Sequence, residues 1–154
     1  MLVGLIADGA GRWLVNQRRP GTDLAGYWEF PGGKRRSGEA PYAALCRELD
    51  EELGIEVLAA EPWLELVHDY PDKRVRLDVW RVLDYRGAVT AREAQALEWV
   101  AVYDLAALPL LAADVPIIAA LRAGGGLRRS RASTAAEPRS SGASQQRASK
   151  NRTS

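Results

Sequence analysis

Histidine, cysteine, phenylalanine and methionine each occur once in these 154 residues. A lone thiol, Cys46, excludes an internal disulfide and fits a reducing compartment; beside Arg47 it reads as a small packing residue, not a nucleophile. The lone imidazole, His68, has no cysteine or histidine partner within reach by sequence and reads as structural rather than as a metal ligand. No run approaches the roughly 18 apolar residues of a membrane span, and no basic segment leads an apolar one at the N-terminus, so neither a span nor a signal peptide is read. The expectation is a soluble cytoplasmic protein.

Large apolar residues are also missing from the last part of the chain. Residues 1–123 carry 14 Lys and Arg against 19 Asp and Glu, a net of −5, whereas residues 124–154 carry 7 against 1, a net of +6. With 47% apolar residues overall, there is enough to build one core. The sequence therefore predicts a single folded domain over 1–123 and a basic Ser/Arg-rich tail over 124–154. From Leu127 to Ser154 that tail has almost nothing to bury, and disorder is expected there.

Between Pro41 and Gly54 the pattern is that of an amphipathic helix. Leu45, Leu49 and Leu53 recur at i, i+4, i+8 as an apolar stripe, Pro41 suits the first turn and Gly54 the C-terminal stop. Ala40 is a poor N-cap, which leaves Glu39 or the loop to satisfy the first free N–H groups. Glu48, Glu51 and Glu52 are spaced i, i+3, i+4, so the spacing predicts three carboxylates projecting together. Like charges on one face repel, and a hard divalent cation, magnesium or alternatively manganese, is the natural neutraliser. Arg47 lies one turn before Glu51 and can hold it. A solvated acidic face is the plainer reading of the glutamates taken alone.

The wider spacing weighs against that plainer reading. Gly33, five residues, Glu39, seven residues, Arg47-Glu48-Leu49, one residue, Glu51-Glu52, one residue, Gly54-Ile55 resembles the complete signature of the Nudix hydrolase family. At frequencies near ~6%, seven fixed matches at set spacing arise by chance on the order of 10⁻⁹ per start position.

Leu2–Ala7 and Arg12–Arg19 read as two strands of a hairpin around Asp8-Gly9-Ala10-Gly11. Family members usually have a few residues before the first strand, so the natural start is expected slightly upstream. A polar loop leads to Tyr27-Trp28-Glu29-Phe30-Pro31-Gly32-Gly33, where aromatics beside glycines suit a ligand lying close to the backbone. After the helix, Trp63–Tyr70 and Arg74–Leu83 read as strands around Pro71-Asp72-Lys73, the second with Val75, Leu77 and Val79 on one face. Gly87–Ala96 is a polar loop holding Glu93, and Glu98–Tyr103 a further strand. Asp104–Leu108 reads as a helical turn. A last helix has Asp114 as N-cap and Pro116 in its first turn, and ends near Ala123. Mixed strands with a helix on either side give an α/β class and an α/β/α sandwich with a mixed central sheet, as the family resemblance also implies over residues 2–123.

The resemblance implies further that Glu48, Glu51, Glu52 and Glu93, with the Gly32 carbonyl, hold the metal, while Glu39 and Arg47 orient them. Either Glu48 or Glu93 would take the proton from the attacking water. Tyr27–Lys34, the Tyr70-Pro71-Asp72 turn, Glu93–Trp99 and Asp114–Ile117 resemble the MutT-type 8-oxo-dGTP diphosphatases, which release the monophosphate and pyrophosphate and so limit mutation. That likeness places Arg18 and Asp114 at the nucleotide, while Trp28 and Phe30 either cover the base or are plain core residues. Asp23 and Asp114 depart from it, standing where a histidine and an asparagine are usual. The competing readings are a pyrophosphatase for another nucleotide, a non-catalytic nucleotide-binding module, and a nucleic-acid binder resting on the basic tail. A tail without interleaved aromatics gives only weak, salt-sensitive attraction. The expected partner is a small nucleotide substrate, with the protein a monomer and with no membrane and no specific nucleic acid.

Overall fold

The computed structural model describes residues 1–125 and, as a two-residue strand, Arg131–Ala132. Its elements are β1 (Leu2–Leu5), β2 (Arg12–Gln17), β3 (Trp28–Glu29), β4 (Gly32–Gly33), α1 (Pro41–Leu53), β5 (Glu56–Tyr70), β6 (Lys73–Arg86), β7 (Leu97–Ala101), α2 (Val102–Leu105), α3 (Val115–Ala120) and β8 (Arg131–Ala132). The strands form two sheets. One is mixed, in the order β4-β1-β6-β5, with β1 and β6 parallel; the other is antiparallel, in the order β3-β2-β7.

The expected hairpin is therefore a corner. Ala7 bridges Trp13, Asp8 N donates to Arg12 O and Leu14 N to Ile6 O, but beyond the turn the strands enter different sheets. β1 has two edges, and β4 and β6 occupy both, which leaves no ladder for β2.

Alternation along β1 builds a core on each face. Leu2 and Ile6 point toward α1 and join Leu45, Leu49, Leu53 and Leu14, whereas Val3, Leu5 and Ala7 point the other way, to Leu105, Ile117 and Ile118. Each fully buried leucine of α1 contributes about 1.5–3 kcal/mol relative to exposure. Helices on both faces of strand layers give the predicted sandwich, split across two sheets.

The second half departs in detail. β5 begins at Glu56, well before Trp63, because bulges near Ala59 and Trp63 break the period that marks a strand. β7 stops at Ala101, and Val102 and Tyr103 belong to α2. Asp114 does not cap α3: it ends a 3₁₀ turn over Ala112–Asp114 in a helical conformation, with no capping bond from its side chain. A wide turn, Leu121–Gly125, follows α3. β8 pairs in parallel with β6 at Asp84 and Tyr85, where β6 runs past its pairing with β1 and leaves an edge free. The rest of the tail, and the disorder expected of it, lies outside the described residues. No helix among the described residues is long and apolar enough to cross a membrane.

Candidate active site

The site begins where two backbones approach too closely for side chains. Gly32 has φ +152°, and a Cβ there would fall 1.9 Å from Leu2 O; one on Gly33 would fall 2.2 Å from Glu48 Oε2. The glycine pair thus lets β4 pair with β1 and lets the α1 carboxylate lie against the chain.

Arg47 organises that end of α1. It donates to both oxygens of Glu39 at 2.7 and 2.8 Å, to Glu48 at 2.9 Å, to Glu51 at 3.3 Å and to Lys34 O at 3.0 Å. Glu39 therefore does not cap the helix. It is turned to Arg47, which lowers its pKa to about 2, while its Oε1 also accepts from Arg36 N. Only a guanidinium has the fork of donors to hold all these acceptors in place.

Of the three predicted carboxylates, Glu48 and Glu52 stay within hydrogen-bond reach of each other and Glu51 parts from them. Glu51 is exposed and tied to Arg47 and Arg36, whereas Glu52 is buried and turned inward. Burial first, then the negative fields of Glu48, Glu93 and Glu29, push the Glu52 pKa up to about 9. Without added positive charge, Glu52 is a neutral acid at pH 7.

Glu93 reaches this group because its loop caps the C-terminal end of α1. Thr90 N and Oγ1 donate to Leu53 O, and Arg92 N and Gln95 Nε2 donate to Glu52 O. Carbonyls that a helix end leaves free are thereby satisfied, and Gln95 Oε1 accepts from Glu93 N, fixing the glutamate beside α1. Gln95 was not anticipated in the sequence. Its only signal there is a polar side chain between two alanines, and its role arises from proximity to a helix end 43 residues away.

Two cavities flank this carboxylate group. One, of about 330 Å³, is lined by Arg18, Phe30, Lys34, Tyr70, Lys73 and Asp114 among others. Asp114 is 4% exposed and accepts from Phe30 N at 3.1 Å; burial pushes its pKa up to about 7. Tyr70 Oη accepts from Ala113 N and braces the same turn. Arg18 is held by Asp23 O and by Glu29, and Asp23 pairs with Lys73 at the mouth. Trp28 is the exception among the predicted nucleotide contacts. It lines neither cavity but packs against the α3-side core, since alternation in β3 turns Glu29 inward and Trp28 away. The second cavity, about 170 Å³, is lined by Asn16, Arg19, Gly32, Glu52, Glu93 and Gln95 among others.

The donor set suits a hard divalent cation: all oxygen, with a protonated acid waiting for compensating charge and a glycine cradle around Glu48. Among the described residues no three His, Cys, Asp or Glu side chains already close to a ligand cluster, and Glu51 is held on the arginine side.

The fold and this site define a Nudix hydrolase. Residues 2–120 match the NUDIX domain model, and the chain belongs to that family. Within it, the chain is 38% identical over 122 residues to the CTP pyrophosphohydrolase of Escherichia coli K12, covering 79% of this chain and 90% of that protein. It is 33% identical over 120 residues to the 8-oxo-dGTP diphosphatase of the same organism, covering 78% and 93%. The crystal structure of a MutT NUDIX hydrolase from Burkholderia pseudomallei superposes with a TM-score of 0.69 at 29% identity, over 77% of this chain and 93% of that one.

Proposed function

We propose that the enzyme hydrolyses a nucleoside triphosphate, with 8-oxo-dGTP as substrate and magnesium as the ion, to the monophosphate and pyrophosphate. The observation that carries the base assignment is the buried Asp114 carboxyl on the wall of the larger cavity, beside Phe30. Oxidation at C8 of guanine turns N7 from an acceptor into an N–H donor, while O6 stays an acceptor. A protonated Asp114 donates to O6 and accepts from N7–H together; ordinary guanine offers no such pair. Relatives named 8-oxo-dGTP diphosphatase support the reading.

Cytosine is the second reading, and the same carboxyl favours it. The N4 amino group donates and N3 accepts, so Asp114 fits that edge too, and the relative named CTP pyrophosphohydrolase points the same way.

A bound divalent ion supplies charge compensation on the polyphosphate and a more acidic water. The chain does the rest by position. Phe30 covers the base, Lys34 and Lys73 line the mouth through which a polyanion enters, and Arg18 is pre-set by Glu29 and Asp23 O. Glu52 and Gly32 line the wall where the phosphates cross. Water adds to phosphorus, the anhydride P–O bond breaks, and the water's proton passes to Glu48 or Glu93. A panel of 8-oxo-dGTP, dGTP, CTP and dCTP with magnesium, scored for pyrophosphate, tests the reading. A preference of kcat/KM for dGTP would overturn both base assignments.

A further inference from the structure

Just after β2 the chain reads Arg19-Pro20-Gly21-Thr22, the residue order of a type II turn, with proline second and glycine third. Thr22 N and Oγ1 both donate to Arg19 O, at 3.3 and 2.6 Å, and Gly21 takes the φ of +85° that the third position requires. The proline ring also biases the residue before it toward an extended backbone. Arg19 is thus tied down at its main chain, and its side chain starts from a defined place on the rim of the smaller cavity.

Arg18 and Arg19 are neighbours that differ in what they hold. Arg18 donates to both oxygens of Glu29 and to Asp23 O. Arg19 is exposed, and its guanidinium has no hydrogen bond or ion pair among the described residues. Glu52 and Glu93 line the same cavity, yet neither is paired with it. A cavity with an unpaired guanidinium on one part of its wall and carboxylates that suit a hard cation on another fits a polyvalent oxyanion between them. The smaller cavity also continues from the larger one, since Arg18, Glu29 and Gly32 line both.

We infer, on the nucleotide reading proposed above, that the smaller cavity is the leaving-group subsite and that Arg19 holds the two terminal phosphates as they depart as pyrophosphate. With the base beside Asp114, the phosphate chain passes the shared wall and its far end enters the smaller cavity. The guanidinium fork matches phosphate oxygens in pairs and offsets the charge that pyrophosphate gains when the anhydride bond breaks. The test uses the full chain with magnesium and inorganic pyrophosphate, titrated by calorimetry, so that no turnover is needed. Arg19→Ala should bind pyrophosphate at least tenfold more weakly with the far-UV circular dichroism of the parent, and Arg19→Glu more weakly still. The nucleoside monophosphate that the parent binds more tightly, CMP or 8-oxo-dGMP, should bind both variants within about twofold of the parent. Pyrophosphate bound by either variant as tightly as by the parent, or not bound by the parent, would overturn the inference. An equal loss for the monophosphate would overturn it too, because Arg19 would then serve the larger cavity. Loss of pyrophosphate affinity in the variants, in a chain that releases pyrophosphate from no triphosphate of the panel, would leave the subsite standing and remove the proposed reaction.

Discussion

Asp114 titrates in a window that can be worked out. Its pKa is about 7 in the folded chain against an ordinary value of 3.8, so the folded state binds more protons between the two. Stability that is fully present below pH ~4 is therefore lost as pH rises through about 7. About three pKa units amount to at most ~4 kcal/mol. Asn at this position carries no such penalty and still accepts from Phe30 N. Asp114→Asn is expected to melt progressively higher than the parent between pH 4 and pH 8, with the gap levelling above that; a gap independent of pH would mean that Asp114 stays charged. The variant should also shift 8-oxo-dGTP over dGTP selectivity roughly tenfold or more at pH 8, where the parent acid is mostly ionised. Equal selectivity in the two proteins from pH 6 to pH 9 would remove Asp114 from base reading. The glutamates of α1 should differ sharply: Glu52→Gln is expected to lower kcat at least 100-fold with the fold intact, and Glu51→Gln, exposed and paired with arginines, by tenfold or less. Steady-state rates at saturating magnesium decide it, and equal losses would show that Glu51 leaves Arg36 and Arg47 to join the site.

At the scale of elements, α1 and the loop over 87–96 behave as one piece, because the loop supplies the donors that the helix end lacks. Gln95→Leu removes one of the two donors to Glu52 O and leaves Glu93 N without its acceptor, at about 1–3 kcal/mol. Its melting temperature should fall by several degrees, and the magnesium concentration for half-maximal rate should rise. A loss of stability with unchanged magnesium dependence would uncouple the loop from the site. The helix itself was legible in sequence, since a 3.6-residue stripe, Pro41 and Gly54 are local signals. The coupling was not. Gln95 acts through a carbonyl 43 residues away, and the side chosen by Trp28 depends on alternation that a two-residue strand does not display. β5 was legible only from Trp63 onward, where its alternation is no longer broken by bulges.

The whole molecule divides, in our proposal, into a catalytic body over 1–123 and an appended basic tail. Removing residues 127–154 takes away β8, a two-residue edge pairing, and none of the described residues of either core. kcat/KM and the melting temperature should stay within about twofold and ~2 °C of the full chain; a larger fall in melting temperature would show the tail docked on the body, whose net charge of −5 opposes the tail's +6.

The connectivity of the body sets an order of events. Phe30 meets Asp114 across 84 residues, β1 runs parallel to β6, and β2 pairs with β7 near the far end of the domain. Such closures must be made before most of their contacts form, which places folding in the slower, millisecond-to-second range. After a jump out of denaturant, helical signal from α1 should therefore lead, and the ability to turn over nucleotide should return only with the last kinetic phase. A newly made chain would carry its acidic helix for some time before it had anywhere to put a base.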